Sequence, residues 1–333
     1  MQSAARQRTL APRQERFCEG IAMLKVGIVG VGLIGRAWAV VFARGGAKVA
    51  LWDESPKALR EALGTIAQCL ADMKRAGLVK RPDAVLKRMR VARSLADCVK
   101  GVDYVQESVL EREPDKKAIF AKLDVLTPAG AILASSTSAI PASVFTKELK
   151  GRKRCLVAHP VNPPAFVPVV ELCGAPWTAK ETVARARAIM EEVGQVPVTV
   201  HKEIEGFILN RLQAAVLNEA FRLIEQGYVS PDDLDKTVRD GLGLRWSFMG
   251  PMETIHLNAP GGTIDYITRY GGFFRRIDAQ TRKAKPWSDA IARKLHVAAA
   301  KAVPPSRHAA AEARRDRRLM ALAVHKRAMA KKD

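Results

Sequence analysis

Between residue 24 and about residue 200 the chain alternates short apolar runs with stretches whose apolar positions recur at helical spacing. The short runs predict strands around Val26, Ile28 and Val29, and over Ala47–Trp52, Arg90–Ala92, Tyr104–Glu107, Ala131–Ala134, Cys155–His159, Val167–Glu171 and Val196–Val200. Helical patterns fall between them. Leu33, Ile34, Ala37, Val40 and Val41 form one, closed by Gly45-Gly46. Ser55-Pro56 opens another toward Gly77, Glu113-Pro114 starts a third, and Thr178–Val193 carries a fourth. Strands alternating with helices predict an α/β fold with a parallel, doubly wound sheet. After Gly206 the period becomes helical and stays so: Phe207, Ile208, Leu212, Ala215, Val216, Phe221 and Ile224 make one stripe up to Gly227. Ser230-Pro231-Asp232-Asp233 caps a further helix running to Gly241. The expected organisation is an extension over 1–22, a sheet domain over 23–205 and an all-α domain over 206–333.

The first strand runs into Gly30, Gly32 and Gly35, spaced G-x-G-x-x-G, and then into a helix. That spacing allows a tight turn, a close approach of backbone to a pyrophosphate, and close packing of helix on strand. The first helical residues, Leu33 and Ile34, offer free N–H groups at the positive end of the helix dipole. The second strand ends in Asp53, 18 residues past Gly35, where a carboxylate can accept from adenosine ribose hydroxyls and repel a 2′-phosphate. The stretch therefore predicts a Rossmann-type dinucleotide site that takes NAD rather than NADP.

At 333 residues and 48% hydrophobic content the chain can bury one large or two ordinary cores. No apolar run approaches the roughly 18–20 residues of a membrane span. Five scattered cysteines, Cys18, Cys69, Cys98, Cys155 and Cys173, show no C-x-x-C or zinc-like spacing and read as reduced thiols of a cytoplasmic protein without a metal site. The net charge of +21 is uneven: residues 281–333 hold 15 Lys/Arg against 4 Asp/Glu. Those cations are interleaved with Ala, Leu and Met at helical spacing, which reads as a solvated helical face rather than a nucleic-acid surface. Residues 1–22 carry four Arg and no apolar core segment, and Met23 is an alternative start.

A dehydrogenase needs a base that takes a hydroxyl proton as hydride leaves the carbon. Of six histidines, His159 sits at the predicted carboxyl end of a strand, where open α/β sheets place ligands. Glu171, twelve residues on, is placed to orient its imidazole. The alternative is a buried histidine bonded only to backbone.

His159-Pro-Val-Asn-Pro163, Glu171 at that spacing, Gly206-Phe-Ile-Leu-Asn-Arg211 and Gly250-Pro-Met-Glu253 together resemble the L-3-hydroxyacyl-CoA dehydrogenase family. Members pair a Rossmann domain with a helical dimerisation domain. The run Gly241-Leu-Gly-Leu-Arg-Trp246, Ile255-His-Leu-Asn-Ala259 and the Arg-rich end are similar to the λ-crystallin branch, whose enzymes oxidise L-gulonate. Pro160 stands where the acyl-CoA enzymes usually carry a bulky aromatic, which weighs against a CoA thioester. The resemblance implies a homodimer that oxidises a 3-hydroxy acid with NAD, His159 serving as base and Glu171 as its partner. It also implies that Ser138 and Asn210 hold the substrate oxygen, and that Glu107 and Lys116 contact the cofactor. From the residues alone, Ser138 could instead cap the helix after Pro141 and Asn210 could bond backbone. Arg245, placed in a loop before Gly250, is the candidate partner for a substrate carboxylate, since a buried anion needs a cationic fork. The rival readings are a 3-hydroxyacyl-CoA or carnitine dehydrogenase, and a crystallin-like structural protein that binds NAD without turnover.

Overall fold

A computed structural model describes residues 23–281 and 288–330. The expectations for residues 1–22, including Cys18, lie outside these. The described residues form two compact units, one running to Ile208 and rejoined from Arg315 onward, the other Leu209–Arg314.

In the first unit β1 (Lys25–Val29), β2 (Lys48–Trp52), β3 (Met89–Val91), β4 (Tyr104–Glu107), β5 (Ile132–Ser135), β6 (Cys155–Pro160), β7 (Val169–Gly174) and β8 (Val196–Val200) build one sheet. Its order is β3-β2-β1-β4-β5-β6-β7-β8. β1 to β6 pair in parallel, as expected from the helical crossovers between them. β7 departs from the all-parallel expectation: it pairs antiparallel to β6. The connection over 161–168 is too short to carry a crossover, so the chain must reverse. β8 then pairs parallel to β7, after the helix Lys180–Glu192.

Side chains alternate across the sheet, so each strand feeds two cores. Ile132, Ala134, Leu156 and Ala158 face one layer, which holds Trp38 and Phe42 of the helix Leu33–Arg44. Leu133, Cys155 and Val157 face the other, with Ile119, Phe120 and Leu123 of the helix Glu113–Leu126. Met320, 3% exposed, belongs to the first of these cores, which is why the end of the chain groups with the sheet.

The predicted helix stops explain themselves by backbone conformation. Gly77 and Gly227 adopt φ of 78° and close their helices in the left-handed region. Gly241 does not adopt positive φ, so the capped helix Pro231–Lys236 continues through a π turn, Thr237–Leu242, into Gly243–Trp246. Arg245 is therefore helical, and the loop expected for it is absent. Phe207 and Ile208 likewise precede their predicted helix, which begins at Leu209.

Burial sets the thiols aside from chemistry. It pushes Cys98, Cys155 and Cys173 up to about 12 and Cys69 up to about 11, so all four stay protonated near neutral pH.

Candidate active site

The glycine turn is built by close approaches that no other residue permits. Gly30 has φ of 93°, and a Cβ there would lie 2.6 Å from the Ser108 carbonyl oxygen. A Cβ on Gly35 would lie 1.8 Å from the Gly30 carbonyl oxygen, which fixes how tightly helix meets strand. Gly32 differs, because a Cβ there would meet no atom within 4 Å. The space above it is open, Leu33 beside it is 55% exposed, and no side chain caps the helix it starts. Asp53 ties this turn to the end of β2: its Oδ2 accepts from the Val31 N–H at 2.7 Å and its Oδ1 from the Ser55 N–H at 2.8 Å. A pyrophosphate at Gly32 and the N–H groups of Leu33 and Ile34, with ribose hydroxyls on Asp53, suits this donor and acceptor set.

Glu107 and Lys116 stand beneath the same region but face each other. Lys116 Nζ donates to Glu107 Oε1 at 2.7 Å and Oε2 at 2.9 Å, and both side chains are fully enclosed. Glu107 also accepts from the Val109 N–H at 2.6 Å and from Ser135 Oγ at 2.6 Å. In this arrangement the two enclosed side chains hold each other and the segment after β4.

The antiparallel step makes the second half of the site. Register sets His159 of β6 opposite Glu171 of β7, and directly opposed residues bring their side chains together on one face. His159 Nδ1 lies 2.8 Å from Glu171 Oε2, with His159 5% and Glu171 2% exposed. Glu171 Oε1 accepts from the Ile208 N–H at 2.8 Å. With a hydrogen on Nδ1 donated to that carboxylate, Nε2 is the acceptor. The approach to Ile208 is made by Gly206 and Phe207, at φ of 73° and 49°. A positive φ at phenylalanine costs on the order of 1–3 kcal/mol and persists only where the surroundings enforce it. Here the buried Phe207 ring packs 5.5 Å from the His159 ring.

Sequence reasoning missed Glu111. Its Oε1 accepts from Thr137 Oγ1 at 2.7 Å, the Ser138 N–H at 2.6 Å and the Ala139 N–H at 2.9 Å, while its Oε2 accepts from Ser138 Oγ at 2.6 Å. Partial burial pushes its carboxyl up, but the hydrogen bonds from Ser138, Thr137 and Ala139 outweigh that and hold it below the usual range. Ser138 is thus fixed by an acid across the fold, not by capping a helix. The available signal was an acid just after β4, facing a Ser- and Thr-rich segment just after β5. Asn210 starts the helix Leu209–Glu225 and Arg245 lies on Gly243–Trp246, both in the helical unit, so neither is placed relative to His159.

A glycine cradle with a ribose-reading acid, and a His–carboxylate pair at the carboxyl end of the same sheet, define a Rossmann-type NAD-dependent oxidoreductase. Residues 25–204 match the NAD binding domain of 3-hydroxyacyl-CoA dehydrogenase and residues 206–299 its C-terminal domain. The chain belongs to the 3-hydroxyacyl-CoA dehydrogenase family. It is 43% identical to lambda-crystallin of Oryctolagus cuniculus over 308 residues, covering 91% of this chain and 96% of that protein. It is 36% identical to an L-carnitine dehydrogenase of Streptomyces griseus over 248 residues, 74% of this chain and 73% of that one. Among solved structures, an NAD⁺-dependent dismutase, 5-formyl-3-hydroxy-2-methylpyridine 4-carboxylic acid 5-dehydrogenase, superposes with a TM-score of 0.79 at 28% identity, covering 90% of this chain and 97% of the other.

Proposed function

We propose that the protein oxidises a free 3-hydroxy acid to the 3-oxo acid with NAD, in the manner of an L-gulonate 3-dehydrogenase. The observation that carries this reading is the 2.8 Å contact between His159 Nδ1 and Glu171 Oε2, which leaves Nε2 free to accept a proton. When bound, NAD takes the hydride from the carbon that bears the hydroxyl. The hydroxyl proton passes to His159 Nε2 as the C–O bond gains its second bond, and Glu171 stabilises the imidazolium formed. Ser138, Asn210 and Arg245 hold the substrate, the first two at its reacting oxygen and Arg245 at its carboxylate.

Support for a free acid comes from the likeness to lambda-crystallin and from Pro160, which is buried at the end of β6 and offers no aromatic surface. The second reading, a 3-hydroxyacyl-CoA thioester or carnitine, rests on the family and on the carnitine dehydrogenase relative. NADH formation with L-gulonate, L-3-hydroxybutyrate, carnitine and 3-hydroxybutyryl-CoA separates them. A higher kcat/KM for the thioester than for both free acids overturns the free-acid reading, and no turnover of any of the four favours a crystallin-like structural role. We also propose a cytoplasmic homodimer. No helix among the described residues is long and apolar enough to cross a membrane. The helical unit leaves Leu212, Phe248, Met252 and Ile264 between 63% and 80% exposed, a surface suited to a second copy.

A further inference from the structure

The amino-terminal edge of the sheet holds a groove of about 350 Å³, whose lining includes the apolar side chains of Met89 and Val102 and several cations. The turn at Gly30–Gly35 and Asp53 follow the opposite, carboxyl ends of β1 and β2. Five residues of strand, about 16 Å, separate the two sites.

Two of the cations have partners. Arg90 donates to Asp97 Oδ2 at 2.8 Å, and Arg88 donates to the Ala43 carbonyl oxygen at 3.0 Å. Among the described residues, Lys25, Lys48, Lys87 and Lys100 have no side-chain partner and no acid lines the groove. Acids nonetheless touch its lining: Asp97 lies on Arg90, Asp103 accepts from the Lys25 backbone N–H at 2.9 Å, and the Asp83 carbonyl oxygen accepts from the Lys87 backbone N–H at 2.9 Å. Lys87 and Lys100 follow short helices, Pro82–Leu86 and Leu95–Val99, and partly complement their last carbonyls. Lys25 and Lys48 have no such excuse. They are register partners on β1 and β2, two exposed like charges at the start of adjacent parallel strands, whose mutual repulsion a bound anion would lower.

The geometry points to a binding site for a phosphate-bearing organic molecule in this groove. One carboxylate would balance one of four ammonium groups, whereas a phosphoryl dianion or a bisphosphate balances more, and lysine binds phosphate as a point charge. The volume is within the roughly 300–1,000 Å³ of small-molecule sites and exceeds what a bare ion fills. Met89 and Val102 in the lining supply apolar contact for the carbon skeleton. The site stands apart from the dehydrogenase reading and does not depend on it.

The test uses the full chain saturated with NADH, which closes the dinucleotide cradle to competing phosphates, and fructose 1,6-bisphosphate as probe in calorimetry at constant ionic strength. Saturable binding is expected. The pair K25Q/K48Q weakens it by about tenfold or more, the scale of two lost charge contacts, and K87Q/K100Q weakens it less. A control pair outside the groove lining, K122Q/K147Q, leaves it unchanged, and NADH affinity stays constant in all variants. No saturable binding, loss of binding when NADH is added, or equal weakening by the control pair each overturns the site. Inorganic phosphate binding as tightly as the bisphosphate overturns the organic ligand.

Discussion

The sheet unit and the helical unit of this chain solve burial differently. In the sheet unit Trp38, Phe42, Tyr104 and Phe120 are completely enclosed between strands and helices, so its two cores close on themselves. Among the described residues of Leu209–Arg314 the buried apolar ones are Ala220, Ile224, Ala259 and Ile291, while aromatics such as Phe248, Phe273 and Phe274 stay at least 48% exposed. A sheet covered on both faces consumes its apolar surface internally. Amphipathic helices packed without a sheet bury one stripe each and leave the rest exposed. The first unit thus encloses its large apolar side chains, and the second leaves many of its own exposed.

The sharpest way to probe this contrast is at the base. His159→Gln should lower kcat by on the order of 10²–10⁴ with NADH affinity nearly intact, since it removes a proton acceptor without disturbing the glycine turn. Near-normal turnover of the purified variant refutes the assignment. Stability should divide the same way. Phe120→Ala empties a closed core and is expected to cost about 3–5 kcal/mol in denaturant unfolding. Phe248→Ser alters an exposed position and should change the intrinsic stability of a chain by less than about 0.5 kcal/mol, yet shift light-scattering mass from dimer toward monomer. If the parent itself scatters as a monomer at micromolar concentration, the second half of the contrast fails.

Smaller effects refine the division. Arg245→Met should raise KM for a hydroxy acid at least tenfold, about 1.4 kcal/mol, with NAD binding unchanged. Parent-like kinetics with L-gulonate would place the carboxylate elsewhere. The smallest expected effect concerns Glu111. Its carboxyl is held below the ordinary range in the folded chain, so its contribution is present above the unfolded value of about 4.3 and is lost as pH falls through the lower folded value. Glu111→Gln should therefore be less stable than the parent at neutral pH, and the gap should close in acid. A gap that persists unchanged below that window means the carboxylate is not its source.

Local signals in the chain were strong wherever the backbone itself is constrained. Tyr104–Glu107 and Val196–Val200 form as strands over the residues expected, because short β-type runs between turn residues have few other ways to bury themselves. Ser55 and Ser230 cap the helices they were expected to open, accepting from the N–H groups of Ala58 and Asp233. The error at Gly241 came from treating glycine as a stop, when it stops a helix only if the chain needs a left-handed residue there. Phe207 departs from its helical spacing for a related reason. Its spacing fits a helical stripe, but burial against His159 holds it in a turn.

What the sequence determined by itself is the local grammar: strand, glycine turn, helix and acid in a fixed order. It also placed His159 and Glu171 at a spacing that one reversal of chain direction can bring together. These are short-range facts, written in residue type and period. Only the tertiary structure decided that β7 runs antiparallel to β6, that Glu107 and Lys116 turn toward each other, and that Glu111 closes on Ser138 from another strand end. Strand direction follows from how much chain is available to cross over, and buried polar pairing follows from which donors and acceptors lose water together. Neither is a property of any one stretch of residues.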